Sequence, residues 1–139
     1  MSAMEQSETT GKIAKALAQF STLCTGVIKD AQNPHFRNDY ASLGSVLDAI
    51  RSPLVECGLA VMQFPDNGED TNQAAITTQI MHESGEWIRC TAAATVAKAN
   101  PQGFGSAYTY LRRYSLLGAL GLGAYDDDGE AASNGPRGR

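Results

Sequence analysis

Apolar positions along this chain change period twice, and the changes divide it into helices and strands. Ile13, Leu17, Phe20, Cys24 and Val27 recur three and four residues apart, the spacing of one face of an α-helix. The pattern predicts a helix from Lys12, capped by Thr9 or Thr10 and fading near Asp30. Leu43, Val46, Leu47, Ile50 and Leu54 make a second apolar face behind Ser42, a favoured N-cap residue. Pro53 lacks an N–H and should kink or restart this helix, and Gly58 suits the position just past its end. From Leu59 the period falls to two. Strands are predicted over Leu59 to Phe64, Ala74 to Met81 and Glu86 to Ala97. In the third, Ile88, Cys90, Ala92, Ala94 and Val96 share one face, and Trp87, Arg89, Thr91, Ala93 and Thr95 share the other.

The polar turn at 65–72 and the tight link at 82–85 join these strands as an antiparallel meander. Residues 30–41 carry Asn-Pro and several Asn and Asp residues, which is loop chemistry, although Phe36 and Tyr40 are unusual in a mere linker. Residues 98–105, KANPQGFG, read as a second loop before a final helix from Ser106 to Leu120. On that helix Ala107, Leu111, Tyr114, Gly118 and Gly121 cluster on one side. Tyr108, Arg112 and Ser115 share another, and Arg113 lies about 100° around from Arg112. The expected fold is α+β in the order α-α-β-β-β-α, a three-stranded antiparallel meander with helices packed on one face. Three parts follow: a disordered arm at 1–11, a core domain at 12–125 and an acidic flexible tail at 126–139.

Composition narrows the class. Across 139 residues, 42% are hydrophobic and 19% charged, ordinary values for one globular domain. The apolar run 116–124 is too short to span a bilayer, and no cationic segment precedes an apolar stretch at the N-terminus. A protein of the cytoplasm is expected. Cys24, Cys57 and Cys90 form no CxxC and fall at apolar positions of periodic segments, so they read as buried free thiols and not as zinc ligands. The net charge of −4 resides in the two ends, since the body at 12–125 balances nine basic against nine acidic residues. Any nucleic-acid role must therefore rest on a local patch.

Enzyme signatures are missing from the sequence. There is no GxxxxGK[ST], no GxSxG and no HExxH. Asp126, Asp127 and Asp128 fail a calcium-loop frame, because Ala124 and Gly135 would stand at ligand positions. No metal and no cofactor is expected. The segment KANPQGFGSAYTYLRRY, 98–114, carries the most chemistry. Lys98, Arg112 and Arg113 supply charge, while Phe104, Tyr108 and Tyr110 supply flat rings. Glycines 103 and 105 let a ligand approach the backbone, and the following helix N-terminus offers N–H groups to an anion. Charges for phosphates interleaved with rings for bases are what a single nucleic-acid strand needs. The same residues also suit a plainer reading, with the tyrosines in the core and the arginines in surface ion pairs. In 33–51, Arg37 and Arg51 accompany His35, Phe36 and Tyr40, and a loop pinned by two aromatics explains them equally well.

NPHFRNDYASLGSVLDAIRSPLVECGL, a strand meander, and GFGSAYTYLRRYSLLGALGLGAYDDDGE together resemble the essential recombination function (ERF) family of phage single-strand annealing proteins. The resemblance covers about residues 12–130. Matching positions are Asn33, Pro34, Phe36, Tyr40, Ser42 and Leu43, then Arg51, Pro53, Leu54 and Gly58. In the second motif they are Gly105, Ser106, Thr109, Tyr110, Arg112, Arg113 and Tyr114, with Asp126 to Gly129 beyond. Ser52 stands where relatives often carry a second proline. The resemblance implies ATP-independent binding of single-stranded DNA and pairing of complementary strands, without enzymatic activity, in the cytoplasm of a bacterial host. It also implies ring or helical homo-oligomers on a β-β-β-α core; whether a phage exonuclease or a single-strand-binding protein is the working partner stays open. Phosphate contacts are expected from Arg112, Arg113 and Lys98, then Arg37, Arg51 and Arg89. Gln102, Gly103, Gly105, Ser106 and Tyr108 would add backbone, polar or ring contacts. Two other readings stay open: a non-catalytic interaction module of a recombination complex, and a metal-dependent nuclease using Asp126 to Asp128.

Overall fold

Alternation along the central strands produces a sheet with one greasy side, and the helices lie on that side. The computed structural model describes residues 4–33, 38–66 and 68–125. Its elements are β1 (Met4–Gln6), α1 (Gly11–Leu23), β2 (Gly26–Ile28), β3 (Ala31–Gln32), β4 (Asp39–Tyr40), α2 (Leu43–Glu56), β5 (Leu59–Asp66), β6 (Gln73–His82), β7 (Trp87–Thr95), α3 (Pro101–Leu120) and β8 (Gly123–Tyr125). The main sheet has the order β1-β7-β6-β5, antiparallel throughout. Ala74, Ile76, Thr78 and Ile80 are buried beneath the helices. On the opposite face Met62 and Phe64 remain exposed, and Thr77 and Thr91 share a hydrogen bond of 2.8 Å between directly paired positions.

The α+β class and the meander stand as expected, but the sheet has four strands where three were predicted. The added strand, β1, comes from the arm expected to be disordered. Met4, Glu5 and Gln6 pair with Cys90, Arg89 and Ile88, so an edge that would otherwise be open is filled. α1 also ends earlier than its apolar spacing suggested. Val27 is buried in β2, where it pairs in parallel with β8, because this short ladder seals the domain beside α2.

Helix starts are secured by side chains from other elements. Thr10 is the N-cap of α1 but makes no side-chain capping bond. Glu86 does that work: its carboxylate accepts from the Ile13 N–H at 2.8 Å and the Thr9 hydroxyl at 2.7 Å. At α2 the expected cap is present, with Ser42 Oγ accepting from the Ser45 N–H at 3.1 Å. Asp30 in turn accepts from both the N–H and the hydroxyl of Ser42, at 2.7 and 2.8 Å. Pro53 lies inside α2 without ending it. The carbonyl of Ala49, which loses its usual donor to the proline ring, has the Cys24 thiol 3.9 Å away as a weak replacement. Gly58 follows the helix with φ +69°, a conformation that favours glycine.

Two apolar clusters result. The larger joins α1, α2 and the last turns of α3 around Phe20, Ile50 and Leu116. The smaller places Ala107 and Leu111 of α3 against Ala74, Ile76 and Val96. Cys24 and Cys57 are buried, Cys90 is partly buried, and all three are free thiols whose pKa burial raises. Among the described residues no helix is long and apolar enough to cross a membrane.

Candidate nucleic-acid interface

α3 begins earlier than its glycines suggested. Asn100 caps it, its side chain accepting from the Gly103 N–H at 2.7 Å, and Pro101 takes the first turn, where a missing N–H costs nothing. Gln102, Gly103, Phe104 and Gly105 are therefore helical, not loop, and present side chains at helical spacing. Gly103 has a packing role: a Cβ there would overlap the Lys98 carbonyl, and its N–H is already used by the cap.

One stripe of this helix changes character along its length. Gln102, Ser106, Thr109, Arg113, Leu116 and Leu120 follow each other at spacings of three and four. Leu116 and Leu120 are buried in the larger cluster. The first turns overhang that cluster, and there the same stripe is polar and open. It forms one wall of a groove of about 1040 Å³, whose other wall is the β3–β4 hairpin with Asn33, Asn38 and Tyr40. Tyr110 and Arg113 stand in this groove. The Arg113 guanidinium lies 4.5 Å over the Tyr40 ring and 5.6 Å from the Tyr110 ring, and Tyr110 contacts Tyr114 at 5.2 Å between centroids. Tyr110 and Tyr114 are 47% and 62% exposed, so a broad aromatic surface faces solvent. Tyr114 was expected on one side of the helix with Ala107 and Leu111; it does not share their burial, because α3 changes packing partners halfway along.

Tyr40 is held in place by backbone pairing. Its carbonyl accepts from the Asp30 N–H at 3.0 Å, while the Lys29 N–H bonds the Tyr125 carbonyl at 2.6 Å. The strand β8, the hairpin and the α2 N-terminus thus meet beside the groove. The Asp30 carboxyl at this junction is held below its ordinary pKa, first by the Ser42 N–H and then by the Ser42 hydroxyl.

Of the residues predicted to bind a strand, Arg113, Gln102, Gly105 and Ser106 gather here. Arg112 and Arg51 do not: they line a separate cleft between α2, α3 and β5. Arg89 lies on the open face of the sheet, stacked 4.5 Å over Trp87, bonded to Gln79 at 3.4 Å and paired with Glu5 at 3.3 Å. Tyr108 turns inward. It stacks on Phe104 and donates to the Asp66 carbonyl at 2.8 Å, fastening α3 to the end of β5. Lys98 is exposed just before the helix. Arg37 and the aspartates at 126–128 lie outside the described residues. Tyr110 was offered only as one of the flat rings; Tyr40, Thr109, Asn33 and Asn38 were not named as contacts, and the signal for Thr109 was the polar start of the 102–120 stripe. Among the described residues no three His, Cys, Asp or Glu side chains gather as a metal site would require.

A family model described as ERF superfamily matches residues 13–137, nearly the whole chain. The chain belongs to the ERF superfamily. Neither the comparison with curated proteins nor that with solved structures returns a match. Membership points to phage recombination and annealing, a role generally without catalysis. The ERF match spans both walls of the groove, from the hairpin to the start of α3.

Proposed function

We propose that this ERF protein binds single-stranded DNA in the groove between α3 and the β3–β4 hairpin, and that it promotes ATP-independent pairing of complementary strands. The observation that carries this reading is Arg113, a cation set between the Tyr40 and Tyr110 rings on the lining of an open groove. A phosphate would meet the guanidinium, bases would stack on the exposed rings, and Gln102, Ser106 and Thr109 would bond sugar or phosphate oxygens. The contacts of one chain are few, since its body is neutral. A ring or filament of copies would set one such groove after another along a strand and multiply weak contacts by effective concentration. Sedimentation of the purified chain is expected to show assemblies larger than one subunit.

The test mixes the purified chain with a labelled oligonucleotide, without ATP or metal, and follows duplex formation after the complement is added. Faster pairing than without protein is expected. Arg113→Ala should weaken single-strand binding by about tenfold at fixed salt and flatten the salt slope by about one phosphate's share. A folded Arg113→Ala chain with unchanged affinity would sink the assignment. A folded chain that binds no strand would instead favour a non-catalytic interaction module.

A further inference from the structure

Arg112 and Arg113 are neighbours in sequence, yet helical rotation sends them to different surfaces. No described residue lines both the groove and the cleft where Arg112 lies. That cleft, about 220 Å³, is lined by apolar residues that include Leu47, Leu54 and Val61, together with Arg51 and Arg112. Gln63 orients Arg112. Its side-chain oxygen accepts from Arg112 Nε at 3.3 Å, and its Nε2 donates to the Arg112 carbonyl and to Thr78 Oγ1, both at 3.0 Å. Thr78 is 2% exposed, so the network is anchored in the core. With Nε occupied, the two Nη atoms of Arg112 are left to form a fork for an anion. Neither Arg51 nor Arg112 has a carboxylate partner among the described residues.

We infer that this cleft is a second nucleic-acid site, which holds the incoming strand by its phosphates while the groove holds the first. This rests on the groove binding single-stranded DNA. The chemistry of the two sites differs in the way that pairing requires. The groove carries Tyr40 and Tyr110 and grips bases. Among the described residues no aromatic lines the cleft, so a strand there is held by charge, its sugars lie against Leu47, Leu54 and Val61, and its bases stay free to test for complementarity. α3 stands between the sites. A helix is roughly 10–12 Å across with its side chains, close to the width of a DNA major groove at about 12 Å, so one helix can separate the backbones of two pairing strands.

Arg51→Ala and the double variant Arg51→Ala/Arg112→Ala test this in the full chain. Arg51 is exposed and makes no hydrogen bond or ion pair among the described residues, so the single variant keeps the question answerable if the double one misfolds. The protein is first saturated with one labelled oligonucleotide. Capture of a second, non-complementary oligonucleotide is then measured at low salt, alongside the annealing rate with a complement. The expected result is first-strand affinity within about twofold of wild type in both, with second-strand capture and annealing reduced about tenfold in Arg51→Ala, the size of one lost charge-assisted contact, and further in the double variant. First-strand affinity falling as far as in Arg113→Ala would mean one continuous site and would overturn the inference while leaving the groove reading intact. Unchanged capture and annealing would overturn it too, as would a synthetic acidic peptide that binds the cleft without competition from oligonucleotide. If Arg113→Ala also leaves first-strand binding unchanged, the groove reading itself has failed and the second site falls with it.

Discussion

Arg112, Arg113, Tyr108 and Tyr110 occupy six consecutive positions with Thr109 and Leu111, yet their surroundings assign them different work. Tyr110 and Arg113 face the groove, Arg112 faces the cleft, and Tyr108 ties α3 to β5. Tyr108→Phe is expected to cost about 1 kcal/mol by removing the bond to the Asp66 carbonyl and to leave oligonucleotide affinity unchanged; denaturant melts and anisotropy titrations check both halves. Ser115 has the opposite problem. Its hydroxyl is buried with no hydrogen-bond partner among the described residues. Ser115→Ala should therefore stabilise the fold by about 1 kcal/mol, seen as a higher midpoint in urea.

At the scale of elements, helix starts depend on carboxylates borrowed from elsewhere. Glu86, at the entrance to β7, holds the N-terminus of α1, and its pKa is lowered first by the Thr9 hydroxyl and then by the Ile13 N–H. The folded state therefore binds this proton less readily than the unfolded chain does. Its stabilising contribution is complete above the unfolded carboxyl pKa and is lost as the pH falls through the lower folded value. Glu86→Gln should be less stable than wild type at neutral pH, with the gap closing in acid; urea midpoints followed from pH 7 to pH 3 would show it. Asp30 behaves in the same sense at α2 through Ser42. Asp30 also ties the start of α2 to the groove's hairpin wall, since its N–H bonds the Tyr40 carbonyl.

For the whole molecule, a neutral body and, among the described residues, one cation lining the groove limit how many phosphates one chain can neutralise. The slope of log affinity against log salt changes by about 0.7 for each phosphate neutralised on a single strand. A shallow slope per subunit is therefore expected, with tight binding emerging only as copies assemble on a longer oligonucleotide. Titrations against oligonucleotides of increasing length at several salt concentrations measure this. Equal affinity for short and long strands would show that assembly contributes nothing.

Local pattern was enough for the α+β class, the meander, the Ser42 cap and the glycine after α2, because each rests on spacing or on residues a few positions apart. Tertiary structure decided what depends on distant partners. β1 forms because the edge of β7 offers unpaired backbone to Met4–Gln6, more than eighty residues away. α1 is capped by Glu86 and not by its own threonines. The aromatic and basic character of 98–114 was legible in the sequence, but the division of its labour was not. Consecutive residues on a helix point about 100° apart, and only the placement of α2, β5 and the β3–β4 hairpin around α3 separates Arg113 and its rings from Arg112 and Arg51.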